Sequence, residues 1–579
     1  MPSALALLRE LRTLRGAFGP EAARRKCDIF AAFHPMVIRS ASRLIELHAA
    51  ACFFCAFPDS AAVYRAAHAV LAAWADRQHR LKRSRRESML NTGMAGTRVY
   101  YEFSYDTLCQ LDDRFPGALE INWDEYESPE KLDAILIHMI GRAEEHAFEE
   151  ELGEVSTQEW MAIAKGNRAE SDLTWLLRQT RRSKPLCTLA PDLFDEAEVP
   201  VVWRIGDTPA ATTNNALDVG RTVYRSNMRK PPKRTKREIA TPLRGIRRLG
   251  ERRGRAMIDV AVAALAARQR EVYAMTRANP REVYLAPLGE GTHAAIIGVK
   301  PAQRLHLEGN YGFVILANGR PVGYGGISPL FRQGNTGINI FPEYRGAEAA
   351  YLFVQLLRAF HMLFGTTRFL ANPYQFGRGN AEAIQSGAFW FYYKLGFRPV
   401  DGDALRLAQR ESRKILSRRG YRTDAVTLRR LAKSDLHLTL RHSKKSEYFQ
   451  ERWLTACAIG ATAAIAAQPG RDRASQMRRV VRRVTRSLGV RGLSSWSANH
   501  RRALYRLAPT VALIRDLDQW TRAEKRALVE IIRAKADPAE RAYVLLLGKH
   551  PRLRASLAKF CKHATAQGSA DTPETAARL

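Results

Sequence analysis

The sequence predicts an α/β fold: a mixed sheet with helices, flanked by mainly α-helical regions. Three observations predict it. Between 283 and 400, short runs of β-branched and aromatic residues alternate with amphipathic helical stretches. On both sides of that stretch, apolar residues recur at helical spacing. The balance of 46% hydrophobic and 26% charged residues is that of a globular chain, not a disordered one. With 579 residues, the chain has room for about three or four domains and needs no disulfide or metal staples.

Residues 1–95 read as a helical N-terminal region. Ala61 to Arg80 places Val63, Ala67, Val70, Leu71 and Trp74 on one helical face and ends in the basic tail Arg80–Arg86. Residues 96–180 read as a locally acidic α/β region. Thr97–Phe103 and Ala118–Trp123 form its short strands. Ser128-Pro129-Glu130 starts one helix, with proline in the first turn, and the capping box Ser156-Thr-Gln-Glu159 starts another. Residues 181–254 are the least periodic. They hold the loop signature Asp207–Asn215 and the basic run Arg229–Arg237, expected to be a solvated linker docked on the acidic region. A long helix from Arg255 to about Ala278 opens the next region, 255–402. Residues 403–563 read as a basic helical C-terminal domain, with a second capping box at Thr521-Arg-Ala-Glu524, and 564–579 as a disordered tail.

The segment 309–400 carries the most information. Tyr311–Leu316 and Val322–Ile327 are strands joined by Asn318-Gly319, a pair that tolerates the positive φ of a tight hairpin turn. Thr336–Phe341 is a third strand. Gly346 then opens a helix whose buried face is Phe353, Leu356, Leu357, Phe360 and Leu363, and Gly365 closes it. Thr367–Ala371 is a fourth strand. After the loop 372–379, Asn380 caps a helix running to Leu395, and a further strand starts at Gly396–Val400.

This order of hairpin, strand, helix, strand, helix and strand, with a charged strand-to-helix turn, resembles the core of the GNAT acyltransferase superfamily. Phe341-Pro-Glu-Tyr-Arg-Gly346 looks like that family's pyrophosphate-binding turn. Phe391-Tyr-Tyr-Lys-Leu-Gly-Phe397 looks like its FYxKLGF signature. The resemblance covers residues 309–400 and implies an acyl-CoA donor such as acetyl-CoA, with N-acyl transfer to an amine. The residues it implies for the cofactor are Ile338, Ile340, Arg345, Gly346, Ala347, Ala349, Ala350 and Gln385, and Tyr392 is implied as general acid toward the departing thiolate. The physical basis of the turn is general: unpaired N–H groups and the dipole at a helix N-terminus favour phosphate. Two residues depart from the family pattern. Gln385 stands where it has Asn, and Glu348 stands at a glycine position. A carboxylate about 5 Å from a phosphate charge repels it by roughly 3 kcal/mol at an effective dielectric near 20. No residue stands out as general base among Glu308, His306, Glu343 and His361, the last of which reads as structural.

Lys and Arg number 92 against 58 Asp and Glu, a formal net charge of +34. Such a field attracts polyanions. Arg478, Arg479, Arg482, Arg483 and Arg486 form a stripe at helical spacing, the best element for nucleic acid or another polyanion; the competing reading is a solvent-facing helix. Two alternatives to acyl-CoA chemistry therefore stand. One is an aminoacyl-tRNA-dependent transferase of GNAT-like fold. The other is a non-enzymatic polyanion-binding protein on such a scaffold. Seven cysteines, an odd number, read as reduced thiols, and Cys52-Phe-Phe-Cys55 reads as core packing. His138, Glu145, His146 and Glu149 read as an acidic helix face, and no metal site is expected. The short N-terminal apolar run does not resemble a secretory signal, and no stretch has the length of a transmembrane helix, so a cytoplasmic location is expected.

Overall fold

The computed structural model describes residues 3–144, 155–183, 186–218, 220–346, 348–440 and 448–568. Helices predominate, and the strands form two sheets. Strands β1 (Arg98–Tyr101), β2 (Leu119–Ile121) and β3 (Val201–Arg204) make a small antiparallel sheet in the order β1-β3-β2. Its central strand comes from the stretch 181–254 read as the least periodic part. There Val201 and Trp203 turn into the core.

The larger sheet is mixed and has nine strands. They are β4 (Arg247–Arg248), β5 (Ala278–Gly289), β6 (Thr292–Val299), β7 (Tyr311–Ala317), β8 (Arg320–Leu330), β9 (Gln333–Ile340), β10 (Arg368–Ala371), β11 (Arg398–Pro399) and β12 (Leu436–Thr439). The order is β11-β12-β10-β9-β8-β7-β6-β5-β4. Among the described residues, only β9 and β10 run parallel, joined by the helix Ala349–Phe364. The predicted hairpin is present, with Asn318 at φ 44° and Gly319 at φ 80°. Gly365, at φ 65°, closes the crossover helix, and Phe353, Leu356, Leu357, Phe360 and Leu363 are all buried. Both capping boxes form as read.

Several boundaries differ from the sequence reading. The helix expected over 255–278 is Glu251–Ala266; it stops where Gln269 takes positive φ and Arg268 turns to pair with Glu343. The helix expected after Ser128 is one 3₁₀ turn, Pro129–Leu132, followed by Asp133–Leu136. The one expected from Asn380 to Leu395 is two, Ala381–Ser386 and Ala388–Lys394, broken at the left-handed Gly387. The loop 207–215 is an internal staple, with Thr212, Thr213 and Asn215 buried. Glu145, His146 and Glu149 lie outside the described residues, as do 569–579 of the tail.

The basic run 229–237 does not dock on the acidic region. Glu238 beside it pairs with Arg358 of the crossover helix, and the Arg229 side chain pairs with Glu290. The run is thus tethered next to the strand-to-helix turn through Arg229 and the neighbouring Glu238. In the C-terminal region, residues 436–439 form a strand of the large sheet and not a helix, because alternating Leu436 and Leu438 fit between β10 and β11. Among the described residues no helix is long and apolar enough to cross a membrane.

Candidate functional site

The parallel pair β9–β10 is the chemically distinctive part of the sheet. The two strands are in register at only three positions: Gln333 with Arg368, Gly334 with Phe369, and Asn335 with Leu370. Beyond these, β9 runs on to Ile340 alongside β8, while β10 ends at Ala371. A gap therefore opens at the carboxyl ends of the two strands, the end where open α/β sheets place ligands.

Side-chain alternation assigns the two walls of this gap. Thr336 and Ile338 share a face with Ile327, Phe313 and Tyr311, across which the crossover helix packs through Phe360 and Phe364. Tyr392 lies on this side. Its ring is 3% exposed and meets Phe353, Phe376 and Phe397 edge-on. Burial pushes its phenol well above the ordinary range, and the polar backbone at Ile338 opposes that shift. The hydroxyl is thus directed at the stretch of β9 that has parted from β10.

Ser328, Gln333, Asn335, Gly337 and Leu370 share the opposite face. There a recess of about 40 Å³ is lined by Glu308, Ser328, Asn335, Asn372, Asp435, Tyr448 and Glu451, among others. That volume suits a water or an ammonium group. Burial raises Glu308 to about 7, with the Glu451 carboxylate adding to the rise. Asp435 accepts a hydrogen bond from the Tyr448 hydroxyl at 2.7 Å. Of these carboxylates, sequence reading named only Glu308. Asp435 and Glu451 come from the region read as helical, and only the placement of β12 beside β10 brings them here. Among the described residues, no three His, Cys, Asp or Glu side chains converge as a metal-binding group.

The turn leading to the crossover helix is held from below. Tyr344 is buried edge-on against Phe57, and Glu343 pairs with Arg268 at 2.8 Å. Glu348 does not face outward as the repulsion argument assumed. Its carboxylate is buried in an ion pair with Arg225, whose side chain is equally buried, and it accepts the Arg229 amide at 2.6 Å. Arg225 in turn bonds Thr292 and the Glu290 carbonyl, with its guanidinium 4.8 Å from the Phe57 ring centre. The expected phosphate repulsion is therefore cancelled by a cation from a segment whose role the sequence did not reveal.

The other nominated residues are scattered more widely than the resemblance implied. Gly346 is exposed, with φ 85° and open space where a side chain would project. Arg345 is exposed and reaches Glu382 at 2.5 Å, an ion pair that links the two connections bracketing the gap. Ala349 and Ala350 are half-buried on the first helical turn, and Ile338 and Ile340 are half-buried on β9. Ala347 lies outside the described residues. Gln385 is exposed on a separate groove lined by 377–385 and 425–433, which contains none of the other nominated residues. Inside the gap, the Gln375 side chain occupies the space beside Gly337; a Cβ there would lie 2.1 Å from it.

Two other nominated groups resolve as structure. His361 bonds the Thr366 carbonyl through Nδ1 at 2.8 Å, fixing the end of the crossover helix. Cys52 and Cys55 are buried, as core packing requires. Cys52 lies 3.7 Å from His48, but burial raises the thiol to about 12 and lowers the imidazole to about 3, so the pair rests neutral. Comparison with protein-family models, curated proteins and solved structures yields no match for this chain.

Proposed function

We propose that this chain transfers an acyl group from an acyl-CoA-type thioester to a primary amine, on a core that resembles the GNAT superfamily. One observation carries the reading: the gap between β9 and β10 is approached from one face by a phenol and from the other by a carboxylate recess. Asn335, which lines the recess, and Ile338, beside the phenol, are about 10 Å apart along the strand at a rise of roughly 3.3 Å per residue. A thioester laid in the gap would lie between them.

The residues present fit such a donor at the turn. Gly346 leaves the backbone approachable, the Glu348 charge is neutralised by Arg225, and the first-turn amides at Ala349 and Ala350 have no side-chain cap. When bound, the donor supplies an activated acyl carbon and a thiolate leaving group. The rest falls to the chain's own side chains. The Gln375 side chain must swing out of the gap, which its flexible end permits. Glu308, Asp435 and Glu451 attract a cationic amine into the recess. Glu308, at about 7, accepts the ammonium proton near neutral pH. Tyr392 stays protonated and able to donate toward a departing sulfur.

The test is a thiol-release assay with acetyl-CoA and a panel of small primary amines, beginning with spermidine. Tyr392→Phe and Glu308→Gln are each expected to lower turnover by about 10²-fold or more. Activity in wild type should rise with pH through about 7 and lose that limb in Glu308→Gln. Acetyl-CoA at 100 times its dissociation constant should stabilise the fold by about 2.7 kcal/mol. No stabilisation and no thiol release would overturn the reading.

A second reading is favoured by a different observation. On the helix Arg473–Leu488, Val480, Val481, Val484 and Leu488 are buried, and Arg478, Arg479, Arg482, Arg483 and Arg486 are all exposed on the other side. The region 448–568 holds 24 Lys and Arg against 8 Asp and Glu. Such a surface suits a nucleic acid, either as a carrier of the acyl group, as in an aminoacyl-tRNA-dependent transferase, or as the ligand of a non-enzymatic scaffold.

A further inference from the structure

The C-terminal region brings together two thiols that stand 104 residues apart in the chain. Cys457 lies on the helix Arg452–Ala466 and Cys561 on the helix Pro551–Gly568. Their sulfurs are 3.4 Å apart, and both side chains are buried. A disulfide has its sulfurs about 2.05 Å apart, so the two must close by about 1.4 Å, a movement on the scale of a side-chain torsion change.

The packing on both sides of the sulfurs holds them together. Trp453, Cys457 and Gly460 follow one another at helical spacing and so share a face. Gly460 meets the ring of Phe560, the neighbour of Cys561, so closely that a Cβ would not fit. One turn before Cys457, the Trp453 carbonyl accepts the Cys561 thiol at 3.4 Å. The Trp453 ring is itself buried and packs edge-on against Phe449. The two cysteines are not equivalent. A hydrogen bond from the Cys457 thiol holds Cys561 below the ordinary thiol range and Cys457 above it, which makes Cys561 the readier nucleophile. Cys561 is also the easier to release. None of residues 562–565 is buried, so it is the last buried side chain before that end of the helix. Opening that end therefore gives up little packing, as locally unfolding segments do.

We propose that Cys457 and Cys561 are a reversible oxidation site, at which a low-molecular-weight disulfide such as glutathione disulfide converts the two thiols into a bond that staples the helix Pro551–Gly568 to the helix Arg452–Ala466. The Cys561 thiolate attacks one sulfur of the small disulfide, expels the first small thiol and leaves a mixed disulfide. The Cys457 thiolate then attacks the Cys561 sulfur, and the second small thiol departs. One S–S bond breaks and one forms. Two electrons pass from the protein to the small disulfide, and the two protein thiol protons end on the two released thiols. The new bond closes the chain from 457 to 561 into one loop, which includes the arginine-striped helix Arg473–Leu488. A cross-link across so long a loop removes much freedom from the unfolded chain and stabilises the folded one. The site is independent of the acyl-transfer gap and needs no substrate there.

The test incubates the full chain with glutathione disulfide under native conditions, blocks the remaining thiols by alkylation and digests the protein without reductant. Wild type is expected to yield a peptide that links Cys457 to Cys561, and to recover both thiols on treatment with dithiothreitol. The oxidised protein should unfold at a temperature higher than the reduced one by roughly 5 °C or more. Cys457→Ser should stop at a mixed disulfide on Cys561, because the thiolate of the second step is missing. Cys561→Ser should leave Cys457 unmodified. No linked peptide between these positions in wild type, a linkage that forms only in urea, or an oxidised form no more stable than the reduced one would overturn the proposal. The wild-type linkage and its unfolding temperature decide the matter even where a serine variant folds poorly.

Discussion

Replacing Arg225 by Met tests the account of the strand-to-helix turn most directly. Both side chains of the Arg225–Glu348 pair are 1% exposed. The substitution preserves the long aliphatic stem over Phe57 but strips Glu348 of its counter-charge. The carboxylate keeps a single neutral partner from the neighbouring strap, the Arg229 amide at 2.6 Å. Breaking a buried pair from one side costs about 3–5 kcal/mol, because the remaining charge stays desolvated. Removing both charges, as Arg225→Met/Glu348→Gln, should recover most of that loss, since two well-packed neutral groups cost little in the same place. The assay is urea unfolding of wild type, both single variants and the double variant, read as a double-mutant cycle. The expected coupling energy is above about 2 kcal/mol. A single-variant loss below about 1 kcal/mol, or coupling within about 0.5 kcal/mol of zero, would mean that water reaches Glu348, and the argument that its charge is removed from the turn would fail.

Other outcomes follow from the same structure. Glu348→Gly, which the bare sequence recommends for admitting phosphate, should destabilise the fold by leaving Arg225 buried and unpaired; equal stability would refute the pairing. Glu282 is buried beside Tyr311 and Arg304, and burial raises its carboxyl to about 7. The folded state therefore holds this proton more tightly than the unfolded chain does. Its contribution is complete below the ordinary carboxylate range and is lost as pH rises through about 7, a change on the order of 3 kcal/mol. Glu282→Gln should flatten that part of the stability–pH curve, and an unchanged slope would count against it. Reversing Arg479 and Arg482 to Glu should lower the salt dependence of nucleic-acid binding by about 0.9 in log–log slope for each phosphate no longer neutralised, measured by fluorescence anisotropy.

The elements with strong local signals were legible in the chain itself. Asn318-Gly319 sets a hairpin by its own backbone preferences, and Gly365 ends the crossover helix for the same local reason. The capping boxes at Ser156 and Thr521 are equally self-contained. What escaped notice depends on partners far apart in sequence. Glu348 reads as an obstacle until Arg225, more than a hundred residues earlier, is seen to bury it. Gly387 looks like a tolerated helix interior residue, yet it adopts the left-handed conformation and splits the helix. The carboxylate recess is assembled from Glu308, Asp435 and Glu451, which share no local pattern. Tyr392 is a mixed case: the run of five aromatic residues Phe389–Tyr393 announces a packed environment, but not that the phenol lies beside the backbone of β9 at Ile338.

The insertion of β12 between β10 and β11 has a practical consequence. Its four residues pair with β10 along the whole of that strand and separate it from β11. An expression fragment ended near 402, where the sequence suggests a convenient boundary, would leave β10 with a bare row of backbone donors and acceptors and β11 with no neighbour. Edges of that kind recruit other chains. Truncations meant to isolate the large sheet should therefore carry the chain at least through Thr439, or yield aggregates in place of a folded fragment.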